Sequence, residues 1–129
     1  MTTKNGIRPG YQSITPYLHV DGVRKLIEFL KQAFGAEELD CHTDADGRVL
    51  HAQLRVGDSM VEMADARPEY PAMPIALHYY VGDVDVVYAR SLEAGATSLT
   101  APMDMPYGER GASVKDPFGN FWYLATWLD

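Results

Sequence analysis

The chain states one folding unit twice. Ile14-Thr-Pro-Tyr-Leu-His-Val20 with Asp21 after it matches Ile75-Ala-Leu-His-Tyr-Tyr-Val81 with Asp83 after it, and Phe34-Gly-Ala-Glu-Glu-Leu39 matches Ala94-Gly-Ala-Thr-Ser-Leu99. Each copy reads as strand, helix, strand, strand, strand. One amphipathic helix covers only one face of its sheet, so the two copies must share a core. The class is therefore α+β. Residues 1–12 read as a flexible leader, residues 13–129 as one domain with module one at 13–65, a linker at 66–74 and module two at 75–129.

Within module one, Ile14–Val20 predicts a strand, and Pro16 places it at an edge or at a strand start. Asp21 is the expected helix cap. Val23, Leu26, Ile27, Leu30, Ala33 and Phe34 recur at helical spacing, and Gly35 supplies the stop. Residues 36–42 follow as a strand, and Thr43-Asp-Ala-Asp-Gly47 as a turn. Asp65 to Pro74, with Pro68, Pro71 and Pro74, is neither helix nor central strand. In module two Asp83 is the cap, Val84, Val87, Tyr88 and Leu92 form the inner side of the helix, and Gly95 ends it. Residues 97–100 give a strand. Ala101–Arg110, with two prolines, reads as a ligand-covering loop. Strands at 111–115 and 121–127 flank the Asp116-Pro-Phe-Gly-Asn120 turn.

The segment Arg48–Ala64 is a hairpin about Gly57-Asp58. Its alternation sorts Leu50, Ala52, Leu54, Val56, Val61 and Met63 onto an apolar face, and His51, Gln53, Arg55, Met60 and Glu62 onto the other. If 56 pairs with 59, Gln53 lies beside Glu62 with His51 close by. That second face is too polar for an ordinary core; it is open to solvent or lines a polar cavity.

Charge and cysteine use narrow the function classes. The net charge of -7 disfavours nucleic acid and anionic membrane surfaces as partners. The single Cys41 forms no internal disulfide and points to a reducing, cytoplasmic compartment. No run is apolar enough to span a membrane, and Met1–Gln12 lacks the apolar segment of a signal peptide. Gly-rich phosphate loops and serine nucleophile elbows are missing.

The Ile14–Asp21 strand with its helix and Phe34-Gly-Ala, the Arg48-Val-Leu-His-Ala-Gln-Leu-Arg-Val-Gly-Asp hairpin, Leu77-His-Tyr-Tyr-Val, Tyr107-Gly-Glu-Arg and Asp116-Pro-Phe-Gly-Asn-Phe-Trp occur in an order and spacing that resembles the vicinal oxygen chelate superfamily. This glyoxalase, bleomycin-resistance and dioxygenase fold is most similar in its PhnB-like branch. The resemblance implies paired βαβββ modules whose curved mixed sheets enclose a ligand cavity, commonly completed by a homodimer. Metal-dependent members place ligands on the first and fourth strands of each module, positions that look like Thr15, Glu62, Ala76 and Tyr123 here. Of these, only Glu62 is a usual hard ligand.

Period two adds Tyr17 and His19 from the first strand, and His78 and Tyr80 from the fifth, to the face holding His51, Gln53 and Glu62. His42 falls beside a turn, outside this set. Tyr107, Glu109 and Arg110 can close over a ligand, with Arg110 free for a carboxylate or phosphate oxygen, or form a surface ion pair. Phe121 and Tyr123 add apolar walls. The expected function is sequestration of a hydrophobic or cationic small molecule in an acidic, aromatic cavity, of the bleomycin-resistance kind. The competing expectations are a lyase or isomerase using Zn, Ni, Fe or Mn held by Glu62 with His51, His78 or His19, and a metal-free acid/base enzyme built from the same groups.

Overall fold

The structure, a computed structural model, describes residues 5–129. Module one contains β1 (Tyr17–Val20), α1 (Val23–Phe34), β2 (Glu37–Thr43), β3 (Val49–Val56) and β4 (Ser59–Asp65). Module two repeats the order with β5 (Ala76–Tyr80), α2 (Val84–Glu93), β6 (Thr97–Asp104), β7 (Glu109–Lys115) and β8 (Phe121–Trp127). Each module forms a four-stranded mixed sheet, ordered β1-β4-β3-β2 and β5-β8-β7-β6. In both, the first strand runs parallel to the last and the remaining pairs are antiparallel.

The hairpin has the register its spacing predicts, with Val56 opposite Ser59 and Gln53 opposite Glu62. Its apolar face meets α1, where Leu26, Ile27 and Leu30 are fully buried over Leu18, Ala52, Leu54 and Met63. Burying each such Leu or Ile contributes about 1.5–3 kcal/mol. One hydrophobic cluster continues into module two through Val84, Val114, Trp122 and Leu124. Phe34 joins the two halves, its ring edge-on to Tyr79 at 5.1 Å and to Trp122 at 4.8 Å. Gly35, at φ 66, closes α1 in the left-handed region that a side chain resists. Among the described residues, no helix is long and apolar enough to cross a membrane.

Several local expectations are corrected. Asp21 does not cap α1; the cap position is Gly22, and the N–H groups of Gly22 and Val23 donate to Asp65 Oδ1 at 3.0 and 2.8 Å. Asp65 is the last residue of β4, and its Oδ2 accepts from Val49 N at 2.7 Å. Leu50 leaves the apolar face because β2 and β3 shift register between His42 and Thr43, so Val49 points inward and Leu50 outward. On α2, Ser91 is fully buried, its hydroxyl donating to Val87 O, while Leu92 is exposed. Residues 101–104 are strand rather than loop: β6 is an edge strand whose irregular pairing tolerates Pro102.

The leader expected at residues 1–12 lies outside the described residues in its first four. Farther along, Gln12 grips the β4 backbone, its Nε2 donating to Met60 O at 3.0 Å. The 66–74 segment returns along β1, where Met73 N donates to His19 O at 3.0 Å.

Candidate functional site

Alternation decides what each sheet shows on the side away from the core. In module one, Leu18 and Val20 face α1, which turns Tyr17 and His19 to the other side beside His51, Gln53 and Glu62. The register sets Tyr17 opposite Glu62, and Glu62 opposite Gln53. The Tyr17 hydroxyl lies 3.1 Å from His51 Nδ1, and His51 Nε2 lies 3.1 Å from Glu62 Oε2. His19 stacks on Tyr70 of the 66–74 segment, with rings 5.5 Å apart and 9° from parallel, and sits 5.0 Å from the Tyr17 ring.

His51 Nε2 has two competing neighbours. The Gln53 amide nitrogen, 3.2 Å away, can be served only by a bare ring nitrogen, whereas the Glu62 carboxylate needs an N–H there. A charge-assisted bond is about twice as strong as a neutral one, so the carboxylate wins. Nε2 then carries the proton, and the Tyr17 hydroxyl donates to Nδ1. Burial, followed by the nearby Glu62 charge, raises the Tyr17 pKa, and the same two causes raise that of Tyr11. Both therefore stay phenols at neutral pH. Among the described residues, two buried side-chain polar atoms lack a hydrogen-bond partner, His19 Nδ1 and the Tyr11 hydroxyl. Such atoms are rare in folded proteins and costly unless a ligand or water completes them.

Module two presents a second group. His78 Nε2 lies 3.2 Å from Glu109 Oε2, whose carboxylate is almost fully buried, and the Tyr80 ring tilts against His78 at 4.6 Å. His78 and Glu109 line a small cleft of about 180 Å³ with Met105, Tyr107, Ser113 and Tyr123. A larger cleft of about 480 Å³ opens between the β3–β4 turn and the β5 edge, lined by Gln12, Ile14, Asp58, His78 and Tyr80 among others.

The sequence-predicted residues thus fall into two clusters within one chain. Tyr17, His19, His51, Gln53 and Glu62 meet in module one; His78, Tyr80, Tyr107 and Tyr123 gather in module two. Among the described residues, no hydrogen bond, ion pair or ring contact joins the sets. Arg110 belongs to neither: its guanidinium is held by Asp85 at 2.8 and 3.0 Å and by Asp104 at 3.1 Å. Phe121 lies opposite Ala76 and lines a separate shallow hollow with Pro74 and Ile75.

Two contributors escaped the sequence reading: Tyr70 sits in a proline-rich segment without periodicity, and Tyr11 was hidden in the leader. Glu109 was expected to close over a ligand from a loop; it stands instead on β7, where strand spacing from Gly111 turns it to the same side as Ser113.

A divalent metal fits these donors poorly. Thr15 precedes β1, and Ala76 carries no donor atom. Registers instead pair Tyr17 with Glu62 and His78 with Tyr123, which gives one carboxylate or one imidazole per pair. Among the described residues, no three His, Cys, Asp or Glu side chains converge as a metal site requires.

Comparison with known proteins places this architecture. The model of the Glyoxalase/Bleomycin resistance protein/Dioxygenase superfamily matches residues 13–124. An uncharacterized protein of Mycobacterium bovis is 36% identical over 123 residues, covering 87% of this chain and 81% of its own length. TioX from Micromonospora sp. ML1 superposes with a TM-score of 0.72 at 26% identity, over 90% of this chain and 100% of TioX. A PhnB protein from Bacillus cereus, titled a putative 3-demethylubiquinone-9 3-methyltransferase, gives 0.72 at 18% identity, over 89% and 99%, a likeness of fold.

Proposed function

This chain belongs to the glyoxalase/bleomycin resistance protein/dioxygenase superfamily, and from that premise we propose that it is a cytoplasmic small-molecule binder of the bleomycin-resistance kind, in the PhnB-like branch. The ligand lies on the polar, aromatic face of module one. The observation that carries this reading is the pair of buried, unpartnered atoms, His19 Nδ1 and the Tyr11 hydroxyl, near an aromatic wall and a carboxylate. A hydrophobic or cationic molecule that stacks on Tyr17 and Tyr70, donates a hydrogen bond to His19 Nδ1 and pairs a second polar group with the Tyr11 hydroxyl would satisfy those groups. The acidic body of the protein favours the same charge type.

A homodimer completes the site. Tyr80, Tyr107, Tyr123 and Trp127 are large aromatic side chains exposed on module two, and an exposed apolar set of this kind marks an interaction surface.

Binding is tested by calorimetry and thermal shift with a panel of basic aromatic antibiotics. One equivalent bound per site, without turnover and unaffected by chelator, is expected; no shift with any member would overturn the reading. The competing reading is a lyase or isomerase holding Zn, Ni, Fe or Mn through Glu62, His51 and His78. It would require about one metal per chain in protein purified without a tag, and loss of that metal in Glu62→Ala.

A further inference from the structure

We propose that Tyr17, His51 and Glu62 form a hydroxyl–imidazole–carboxylate relay that makes Tyr17 a base-activated nucleophile toward activated esters. The proposal rests on the module-one face being the ligand site, and adds to that reading a chemistry.

Three contacts carry it. The Tyr17 hydroxyl is 3.1 Å from His51 Nδ1, the opposite ring nitrogen is 3.1 Å from Glu62, and the carboxylate fixes the tautomer that leaves Nδ1 bare. A nucleophile, a base within hydrogen-bond reach and a third group orienting that base are the parts of an activated hydroxyl, whatever fold carries them. The strands explain why the parts meet. Tyr17 and Glu62 are register partners across the parallel β1–β4 pair, and His51 comes from β3 on the same face. Tyr17, at 36% exposure, is reachable from solvent, and the His51 and Glu62 side chains behind it are half-buried.

The phenol is not ionised by itself at neutral pH, since burial and Glu62 hold its proton on. His51 supplies the missing step. As the Tyr17 oxygen attacks an ester carbonyl carbon, its proton passes to His51 Nδ1, and the imidazolium so formed is stabilised by Glu62. The tetrahedral adduct collapses, the bond from carbon to the leaving oxygen breaks, and the alkoxide or phenoxide departs. Tyr17 keeps the acyl group, and the imidazolium returns its proton to solvent. Tyr17 is the nucleophile here and His51 the general base; Glu62 is the positioning residue, acting through His51. Other groups facing the relay are Tyr11 and Arg8 from the leader, Arg67, which acts on Tyr17, His19 and Gln53, and the Asp40–His42 pair on the strand beside His51.

The probe is p-nitrophenyl acetate, followed by p-nitrophenolate release and intact mass. The native chain is expected to release one equivalent and gain one acetyl group, mapped to Tyr17. Tyr17→Phe should lose both, with thermal unfolding confirming that it is folded. Glu62→Gln should slow acylation at least tenfold, whereas the control Glu93→Gln, an exposed carboxylate at the end of α2, leaves it unchanged. His51→Ala should lose acylation and regain it with added free imidazole, which a merely structural histidine would not allow. Acetylation elsewhere, a rate equal to that of Tyr17→Phe, or absence of imidazole rescue would overturn the relay. If the relay fails while antibiotic binding by calorimetry is intact and equal in Tyr17→Phe, the chemistry alone is refuted; if binding fails as well, the ligand site itself is wrong.

Discussion

Replacing Asp65 by alanine should damage the fold more than any other single surface-proximal change, because one carboxylate joins three elements. Oδ1 takes the N–H groups of Gly22 and Val23 at the start of α1, and Oδ2 takes Val49 N at the start of β3. Losing a side-chain cap costs about 0.5–2 kcal/mol. The first turn of α1 has no acidic residue of its own, so the helix dipole also loses about 0.3–1 kcal/mol. The Val49 N–H, left unpaired at a buried position, adds about 1–3 kcal/mol. Since these effects overlap, the expected total is about 3 kcal/mol, or a fall in Tm of roughly 10 °C for a domain of this size.

Urea denaturation of native, Asp65→Ala, Asp65→Asn and Asp21→Ala chains reads this directly. Asp65→Asn keeps one acceptor and should lose about half as much. Asp21→Ala, which removes the residue that local sequence nominates as cap, should change stability by less than about 0.5 kcal/mol. The Asp65 pKa is lowered in the fold: burial acts to raise it, and the three backbone N–H donors and Arg48 together outweigh burial. A depressed folded pKa means that the stabilisation is fully present above the unfolded value and is lost as pH falls through the folded one. The gap between native and Asp65→Asn should therefore be flat near neutrality and close only below about pH 4. Equal losses in Asp21→Ala and Asp65→Ala, or a gap that closes near neutral pH, would refute the reasoning.

Other expected outcomes follow from single contacts. Gly57→Ala places a methyl group 3.2 Å from the Tyr79 ring at a backbone φ of +61, and should cost about 1–2 kcal/mol by thermal unfolding; an unchanged Tm would show that the turn relaxes. Arg110→Ala breaks its pairs with Asp85 and Asp104 at the surface and should leave antibiotic affinity unchanged in calorimetry; a tenfold loss would show that Arg110 reaches the ligand. The Lys31 hydrogen bond, against the opposing effect of burial and with help from Arg24, lowers the Glu38 pKa. Glu38→Gln should cost less than about 1 kcal/mol at neutral pH, with the cost shrinking in high salt and vanishing as acid protonates Glu38; a salt-independent loss would contradict this.

Much of the fold was legible because it is written in periods. The repeat, the hairpin register and the burial of Leu26, Ile27 and Leu30 all follow from spacing within one element. What was not legible depended on contacts between elements. Asp21 has the right residue type beside α1, yet Asp65, far along the chain, holds the helix start because β4 ends next to it. Leu50 obeys the alternation until a one-residue slip against β2 reverses it. Pro102 and Pro106 suggested a loop; Pro106 does lie in the turn between β6 and β7, but Pro102 is in an edge strand, which loses little by lacking a donor. For the site, alternation found Tyr17, His19, His51, Gln53 and Glu62 because they share one sheet face. It also drew His78 toward them, since strand patterns fix which side a residue faces and not how two sheets are set against each other.

The central claim, that the module-one face is the ligand site, is tested most directly by titrating isotope-labelled protein with a binding antibiotic and following side-chain and backbone resonances. Saturable shifts should centre on Tyr11, Tyr17, His19, His51, Glu62 and Tyr70, with His19 Nδ1 moving most among the ring nitrogens. Saturable binding whose shifts cluster instead in the larger cleft between the β3–β4 turn and the β5 edge, leaving those six residues still, would contradict the account.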